Sequence, residues 1–510
     1  MIIVTTAQMR RLEQQAVERS TGLDVLMQRA GAAVARAAAE RAGGGPILVL
    51  VGPGNNGGDG LVAASLLKGR GLPVVVYSFR RQDLGGYDGT AVAAESDENQ
   101  ALLDALVRQS PVIVDALLGI GSTRPPEGVL AGILRSVNGR RAPGCQAIAV
   151  DIPTGVNADT GSVEGEAFRA SLTVAMGFAK CGIALYPGAE YAGEVQVADI
   201  GFPPDAARDI ETAVPSPAAV SRLLPRRPAT SNKGSSGRLM FVGGSRDFQG
   251  APALATGAAY RAGAGLVEAA VPYSAQAGVA AHVREVIFRP LEEADGRIAR
   301  AALPTVKEGL QRAGTLVLGP GMGLSDETVE VTKEILSALD GARIQGALVD
   351  ADGLNALSQL ENWWQLTGRD LVLTPHPGEM SRLTGLSISD IQKNRLEVAR
   401  EHARRWGKVV VLKGAGTVVA APDGRATVNP TGGPNLATAG TGDVLSGIIG
   451  GLLAQGLSAF DAAVAGVYLH GRAGDLMRDE YGEVGTVAGD LLAKIPAARL
   501  AILKQSEESP

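Results

Sequence analysis

Aromatic residues are scarce in this 510-residue sequence, at 4%, whereas glycine is abundant at 68 residues. That balance suits α/β enzymes, which need many tight turns between strands and helices. Cysteine is nearly absent. Cys145 and Cys181 have no metal-type spacing, so they read as two reduced, buried thiols rather than a disulfide or a nucleophile. No apolar run reaches the ~18 residues of a membrane span. Basic charge is not in excess: a net charge of −5 gives no electrostatic case for nucleic acid or an anionic membrane as partner. The first residues include Arg10, Arg11 and Glu13 instead of an apolar signal segment, so a cytoplasmic enzyme is expected. Neither a G-x-x-x-x-G-K-[ST] loop nor an Asp-Phe-Gly kinase loop occurs, so any phosphoryl transfer belongs to another fold.

What is present describes an ordinary globular chain, with 45% hydrophobic and 20% charged residues, long enough for two or more domains. Residues 7–42 carry apolar side chains at helical spacing. A buried strand is then predicted at 46–51 and further strands at 73–79, 112–115, 147–152, 172–176 and 194–198, with helical stretches between the early ones. A parallel, Rossmann-like three-layer sandwich follows. Prolines crowd residues 202–232, which places a boundary near 207–216 and domains at 1–210 and 217–505. Strand–helix alternation resumes from Leu239 to Val419, and helices at 441–456, 459–477 and 486–503 close a second α/β sandwich.

Polar motifs sit at the predicted strand ends, where open parallel sheets place their ligands. Asn435–Asp443 ends in Gly440-Thr441-Gly442-Asp443 before an apolar helix, which gathers free N–H groups and a helix dipole at one point. Asp443 is then either the base of a phosphoryl transfer or a helix cap. Gly52–Gly57 matches G-x-G-x-x-G after a strand, and Arg80 and Arg81 stand where a dinucleotide 2′-phosphate would lie. Asn55, Asn56 and Asp59, however, crowd polar groups into a place where a plain dinucleotide site prefers bare backbone. Asp115 and Asp151 close two further strands, as ligand-binding or as turn residues. Lys413-Gly-Ala-Gly-Thr417 offers bare backbone donors suited to a nucleotide phosphate. His376 is framed by two prolines and reads as a ligand contact or a structural hydrogen bond, whereas His470 reads as a packing histidine in a helix.

Gly54-Asn-Asn-Gly-Gly-Asp-Gly60, Asp115-Ala-Leu-Leu-Gly, Val150-Asp-Ile-Pro-Thr-Gly155 with Asp159-Thr-Gly161, and Phe178-Ala-Lys180 with Asp199-Ile-Gly201 resemble the YjeF N-terminal, NAD(P)H-hydrate epimerase family. The resemblance implies interconversion of the R and S epimers of hydrated NADH or NADPH, with a potassium ion. It implies substrate contacts at Asn55, Asn56, Gly57, Gly58 and Asp59, and at Gly119, Ile120, Gly121, Ser122, Thr123, Arg124 and Pro125. It also implies potassium ligands at Asn56, Asp115 and Thr154, and an acid–base role for Asp151 on the substrate. The family loop commonly reads Gly-Thr-Gly-Leu where this chain has Gly119-Ile-Gly-Ser122.

Val242-Gly-Gly-Ser245, Gly250-Ala-Pro-Ala-Leu254, Val349-Asp-Ala-Asp-Gly-Leu-Asn355, Thr374-Pro-His-Pro-Gly-Glu379, Lys413–Thr417 and Thr438–Asp443 resemble the NAD(P)H-hydrate dehydratase family, a branch of the ribokinase-like fold. That resemblance implies ADP as co-substrate, with magnesium, and Asp443 as the base activating the 6-hydroxyl of the S-hydrate. It implies nucleotide contacts at Lys413, Gly414, Ala415, Gly416, Thr417 and Gly442, and hydrate contacts at Ala251, Gly323, His376 and Asp443. The family has Gly where this chain has Ala439. Together the two resemblances imply a bifunctional isomerase and lyase that repairs hydrated nicotinamide cofactors, NADHX and NADPHX, in a homo-oligomer. A vitamin-type kinase with a regulatory N-terminal domain is the alternative.

Overall fold

The structure, a computed structural model, describes residues 1–19, 22–234 and 236–508. Its contacts divide the chain into two compact units, Met1–Thr212 and Ala213–Pro510.

In the first unit seven strands form one parallel sheet. In spatial order they are Thr90–Ala93, Val74–Ser78, Ile47–Val51, Val112–Ala116, Gln146–Val150, Leu172–Met176 and Glu194–Ala198. Ile47–Val51 is buried at every position, as expected of a strand covered on both faces. Val49, Val51, Val114 and Val150 pack with helices Leu23–Ala42 and Asn55–Gly69. The alternate residues Leu48, Leu50 and Ile113 pack with Ala101–Gln109 and Gly128–Arg140 on the other face. Three layers result. Three short strands escape the sequence pattern, since none carries an apolar run long enough to register. Thr90–Ala93 is largely exposed at a sheet edge, and Ile3–Val4 pairs in parallel with Ala179–Lys180 outside the main sheet.

The second unit is built on a ten-stranded sheet that starts at the boundary strand Thr212–Ala213. It continues through Ala426–Val428, Val418–Ala420, Val409–Leu412, Asp370–Leu373, Gly346–Val349, Thr315–Leu318, Arg238–Val242, Leu266–Pro272 and Ile287–Leu291. Pairing is parallel from Val409–Leu412 to Ile287–Leu291 and antiparallel between Val409–Leu412, Val418–Ala420 and Ala426–Val428. Helices Gly250–Ala262, Thr441–Ala454, Ala459–Tyr481 and Ala488–Glu508 share one core with Leu239, Phe241 and Val317. Helix Leu303–Leu310 lies on the opposite face, where Gly309 sits beneath Met240. Inside the proline-rich stretch, Pro217–Leu223 is helical. Pro217 occupies its first turn, where the missing N–H costs nothing, and Val220 enters the core.

Helix Thr441–Ala454 is buried without a break from Val444 to Leu453. Glycines make this possible. A Cβ on Gly447 would fall 2.1 Å from Ala255 O, one on Gly451 2.7 Å from Ala259 O, and one on Gly450 2.4 Å from Val317 Cγ2. The helix therefore lies backbone-to-backbone against Gly250–Ala262, and its N-terminus is held in register with the sheet. Gly447→Ala should destabilise the second unit by about 1–2 kcal/mol, since overpacking outweighs the helix-propensity gain. Gly139→Ala, in an exposed helix position with nothing within 4 Å, should instead stabilise by about 0.5 kcal/mol. Urea unfolding of the two variants measures both signs.

Candidate functional site

A cavity of about 600 Å³ opens at the carboxyl ends of the first unit's strands. Asn55, Asn56 and Asp59 of helix Asn55–Gly69 line it, with the loop Gly119–Arg124, Asp151, and Glu13 of helix Thr6–Glu18. Asp151 has φ of 68°, a left-handed conformation that a non-glycine residue holds only under tertiary constraint. Its carboxylate accepts from Met176 N at 2.9 Å and from the Lys180 ammonium. Lys180 is fully buried and also donates to Phe178 O at 2.9 Å and Met176 O at 3.2 Å. Burial, followed by the charges of Asp151 and Glu13, pushes the Asp59 carboxyl up to about 8, against the pull of Lys180. Glu13 is raised by burial and Asp151 in the same way. At neutral pH a protonated carboxyl and an ion-paired carboxylate thus face one cavity, which is the arrangement acid–base chemistry requires.

Behind that wall Asp115 is fully buried. Its oxygens accept from Thr154 N at 2.8 Å, Thr154 Oγ1 at 2.8 Å and Leu117 N at 3.1 Å. Asn56 Nδ2 donates to Leu118 O at 3.1 Å, which brings Asn56, Asp115 and Thr154 around one point. No ammonium or guanidinium among the described residues pairs with Asp115, and burial lifts its carboxyl to about 6.

In the second unit, Gly440 begins helix Thr441–Ala454 with φ of 91° and no side chain caps it. Asp443 lies inside the first turn and caps nothing, which removes the reading of Asp443 as a cap. Burial, then the charge of Asp350, push its carboxyl up to about 7, with Lys413 opposing and Asp352 and Glu379 adding. Lys413 Nζ donates to Asp350 Oδ1 at 2.7 Å and lies 3.6 Å from Glu379 Oε2, and Ser446 Oγ donates to Asp350 Oδ2 at 2.6 Å. Burial by itself would lower the Lys413 ammonium, but Asp350 and Glu379 hold it above its ordinary value. A Cβ on Gly442 would sit 3.6 Å from Lys413 Nζ, so the helix N-terminus and the ammonium face each other.

His376 is the N-cap of helix Pro377–Thr384. Its Nδ1 accepts from Gly378 N at 2.9 Å and Glu379 N at 3.3 Å, while Glu379 Oε2 accepts from His376 N at 2.7 Å. A capping Nδ1 leaves the ring proton on Nε2, which lies half-exposed and 3.5 Å from Glu379 Oε1. Burial and Lys413 lower its pKa, so the ring is neutral at physiological pH. His470 packs in helix Ala459–Tyr481 and also donates from Nε2 to Thr441 O at 2.9 Å, fixing the turn before Asp443. Burial drives its pKa down to about 4. Gly414 and Gly416 have φ of 140° and 60°, and Thr417 Oγ1 donates to Gly414 O at 2.8 Å, closing a loop in which Gly414 and Ala415 are exposed.

Two family models match the chain: the YjeF-related protein N-terminus over residues 23–182 and NAD(P)H-hydrate dehydratase over residues 239–497. The bifunctional NAD(P)H-hydrate repair enzyme Nnr of Moorella thermoacetica is 40% identical, covering 97% of this chain and 96% of that relative. The chain belongs to the bifunctional NAD(P)H-hydrate repair enzyme family. The Escherichia coli member is 36% identical, across 88% of this chain and 84% of its own. Among solved structures, the ADP/ATP-dependent NAD(P)H-hydrate dehydratase of Bacillus subtilis, co-crystallised with ATP and Mg2+, matches 56% of this chain and 97% of that one. Its TM-score is 0.50 at 29% identity. The second unit is therefore ribokinase-like and the first Rossmann-like.

The residues implied by resemblance to this family fall in definite places. Gly119, Ile120, Gly121, Ser122, Thr123 and Arg124 line the large cavity, while Pro125 borders a smaller one of about 80 Å³ beside Gly155 and Asn157. Gly57 and Gly58 lie behind the wall, packed against Gly52 and Met27. Gly323 N donates to Asp352 Oδ2 at 2.8 Å, and Ala251 abuts Gly321. Two of the positions that depart from the family pattern have simple surroundings. Ile120 packs against the Val4, Met9 and Leu12 cluster, and Ala439 is exposed without positive φ. Sequence reasoning assigned no role to Lys180, Glu13, Asp350, Glu379 or Ser446. The motifs Phe178-Ala-Lys180, Val349-Asp-Ala-Asp352 and Thr374–Glu379 contain Lys180, Asp350 and Glu379, and were the available signal.

Asp443 carries a consequence for stability. It binds its proton more tightly folded than unfolded, where the ordinary value is 3.8, so its contribution is complete below that pH. The contribution is lost as pH rises to about 7. Asp443→Asn should therefore raise the stability of the second unit at pH 8 by a few kcal/mol and change little at pH 4, as urea unfolding at the two pH values would record.

Proposed function

We propose that the first unit interconverts the two epimers of hydrated NADH and NADPH, and that the second removes the water from the S epimer at the expense of ADP. The observation that carries the reading is Asp443. It is a carboxylate lifted to about 7, in the first turn at an uncapped Gly440–Gly442 terminus and opposite the Lys413 ammonium. A base of that strength takes the proton of the 6-hydroxyl, and the N–H groups of the turn stabilise the charge on the phosphoryl group in transfer. Elimination of phosphate then restores the dihydropyridine, with AMP and inorganic phosphate as the other products. Lys413–Thr417 and Gly442 hold the nucleotide, and Ala251, Gly323 and the neutral His376 contact the hydrate.

In the first unit, Asp59 supplies the proton that lets the 6-hydroxyl leave as water, and Asp151, oriented by Lys180, takes one back when water returns to the other face. The oxygens of Asn56, Asp115 and Thr154 suit potassium: Asp115 is a buried carboxylate without a cationic side chain. A bound potassium ion would neutralise that charge. Magnesium accompanies the nucleotide phosphates, which supply its oxygen ligands. Among the described residues no helix is long and apolar enough to cross a membrane.

Asp443→Asn should abolish ADP-dependent recovery of NADH absorbance from its hydrate and leave epimerisation intact. Asp151→Ala should do the reverse, and full activity in either variant removes the corresponding assignment. In the wild-type enzyme, the dehydration rate should climb with pH through about 7 as Asp443 loses its proton. Potassium should raise the thermal midpoint of the first unit over sodium or choline, and Asp115→Asn should erase the difference.

A further inference from the structure

The loop assigned to the nucleotide rests on a buried guanidinium that has no carboxylate. Arg395 opens helix Arg395–Trp406 and is 4% exposed. Its Nη2 donates to Leu412 O at 2.9 Å and Lys413 O at 3.1 Å, and its Nη1 to Gln392 Oε1 at 2.6 Å. All three acceptors are neutral. Its Nε is buried without a partner, and among the described residues no aspartate or glutamate forms an ion pair with it. Burial with no opposing charge pushes its pKa down to about 10. Enclosing a cation in this way is costly unless an anion completes its surroundings.

The neighbouring backbone shows where an anion would come. A Cβ on Gly414 would lie 3.0 Å from both Nη1 and Nη2, so the guanidinium touches the inner side of the loop whose outer side is exposed at Gly414 and Ala415. By taking the Leu412 and Lys413 carbonyls inward, Arg395 turns carbonyl dipoles away from the outer side. We infer that Arg395 is a positioning residue for the nucleotide phosphates: it holds the Lys413–Thr417 loop from behind and lends it an uncompensated positive charge. The inference rests on the reading that this loop holds ADP.

Its signature is dependence on phosphate number, because a charge acts on phosphates and not on the nucleoside. In the full-length enzyme, Arg395→Met should weaken ADP about tenfold in calorimetric titration, AMP less, and adenosine by under about twofold. Arg395→Lys should retain ADP affinity within about threefold. In steady-state assays Arg395→Met should raise KM for ADP, with kcat at saturating ADP within about twofold and epimerase activity unchanged. If Arg395→Met fails to fold, Arg395→Gln makes the same comparison. Equal losses for ADP, AMP and adenosine, or no loss for ADP, overturn the inference while leaving the nucleotide site in place. A wild-type enzyme that binds ADP no more tightly than adenosine overturns the site assignment and the inference with it.

Discussion

The second site depends on one ammonium set among several carboxylates. Lys413 Nζ is shared between Asp350 and Glu379, and Asp443 lies within reach of the same field. With burial and more carboxylates than cations at one place, the cluster cannot keep them all ionised at little cost. Asp350 has the direct hydrogen bonds, from Lys413 and Ser446. Glu379 and Asp443 carry the surplus and are pushed up to about 7. A carboxyl that titrates near physiological pH is suited to taking a proton from an alcohol, so burial, with the neighbouring carboxylates only partly offset by Lys413, is what makes Asp443 a useful base.

Such a cluster works only if its members cannot drift apart, and close packing prevents that. The glycines of Thr441–Ala454 allow its backbone to touch that of Gly250–Ala262, and the helix is buried along most of its length. Asn435 Nδ2 to Gly474 O and His470 Nε2 to Thr441 O tie the preceding loop to helix Ala459–Tyr481. The loop geometry is thus set by groups that never meet substrate. His376 shows the same economy, since its capping Nδ1 fixes the tautomer that Nε2 presents.

The first unit uses a different version of the device. Its buried Lys180 is committed to Asp151 and two carbonyls, which leaves Asp59 and Glu13 to bear the repulsion. The short pairing of Ile3–Val4 with Ala179–Lys180 is central, because it docks helix Thr6–Glu18 so that Glu13 lines the same cavity as Asp151. Two residues of strand position a helix that supplies a charge to the site.

The periodicity and turn chemistry of the chain determined much by themselves. The strand Leu172–Met176 begins and ends where the apolar pattern does, and helix Thr441–Ala454 starts at the Gly-Thr-Gly turn. Local rules suffice there, because burial on both faces and a glycine turn leave their mark on neighbouring residues. Tertiary structure alone decided which charges meet. Lys413 and Asp350 are 63 residues apart, Ser446 and Asp350 are 96, and Lys180 and Asp151 are 29. The pKa of each carboxyl follows from burial and from the charges that folding brings beside it, and neither is a property of the residue's neighbours in sequence. The sequence determined that Asp443 stands at the start of a helix behind a glycine turn. Burial, with Asp350 and Glu379 packed beside it against the pull of Lys413, made it a base.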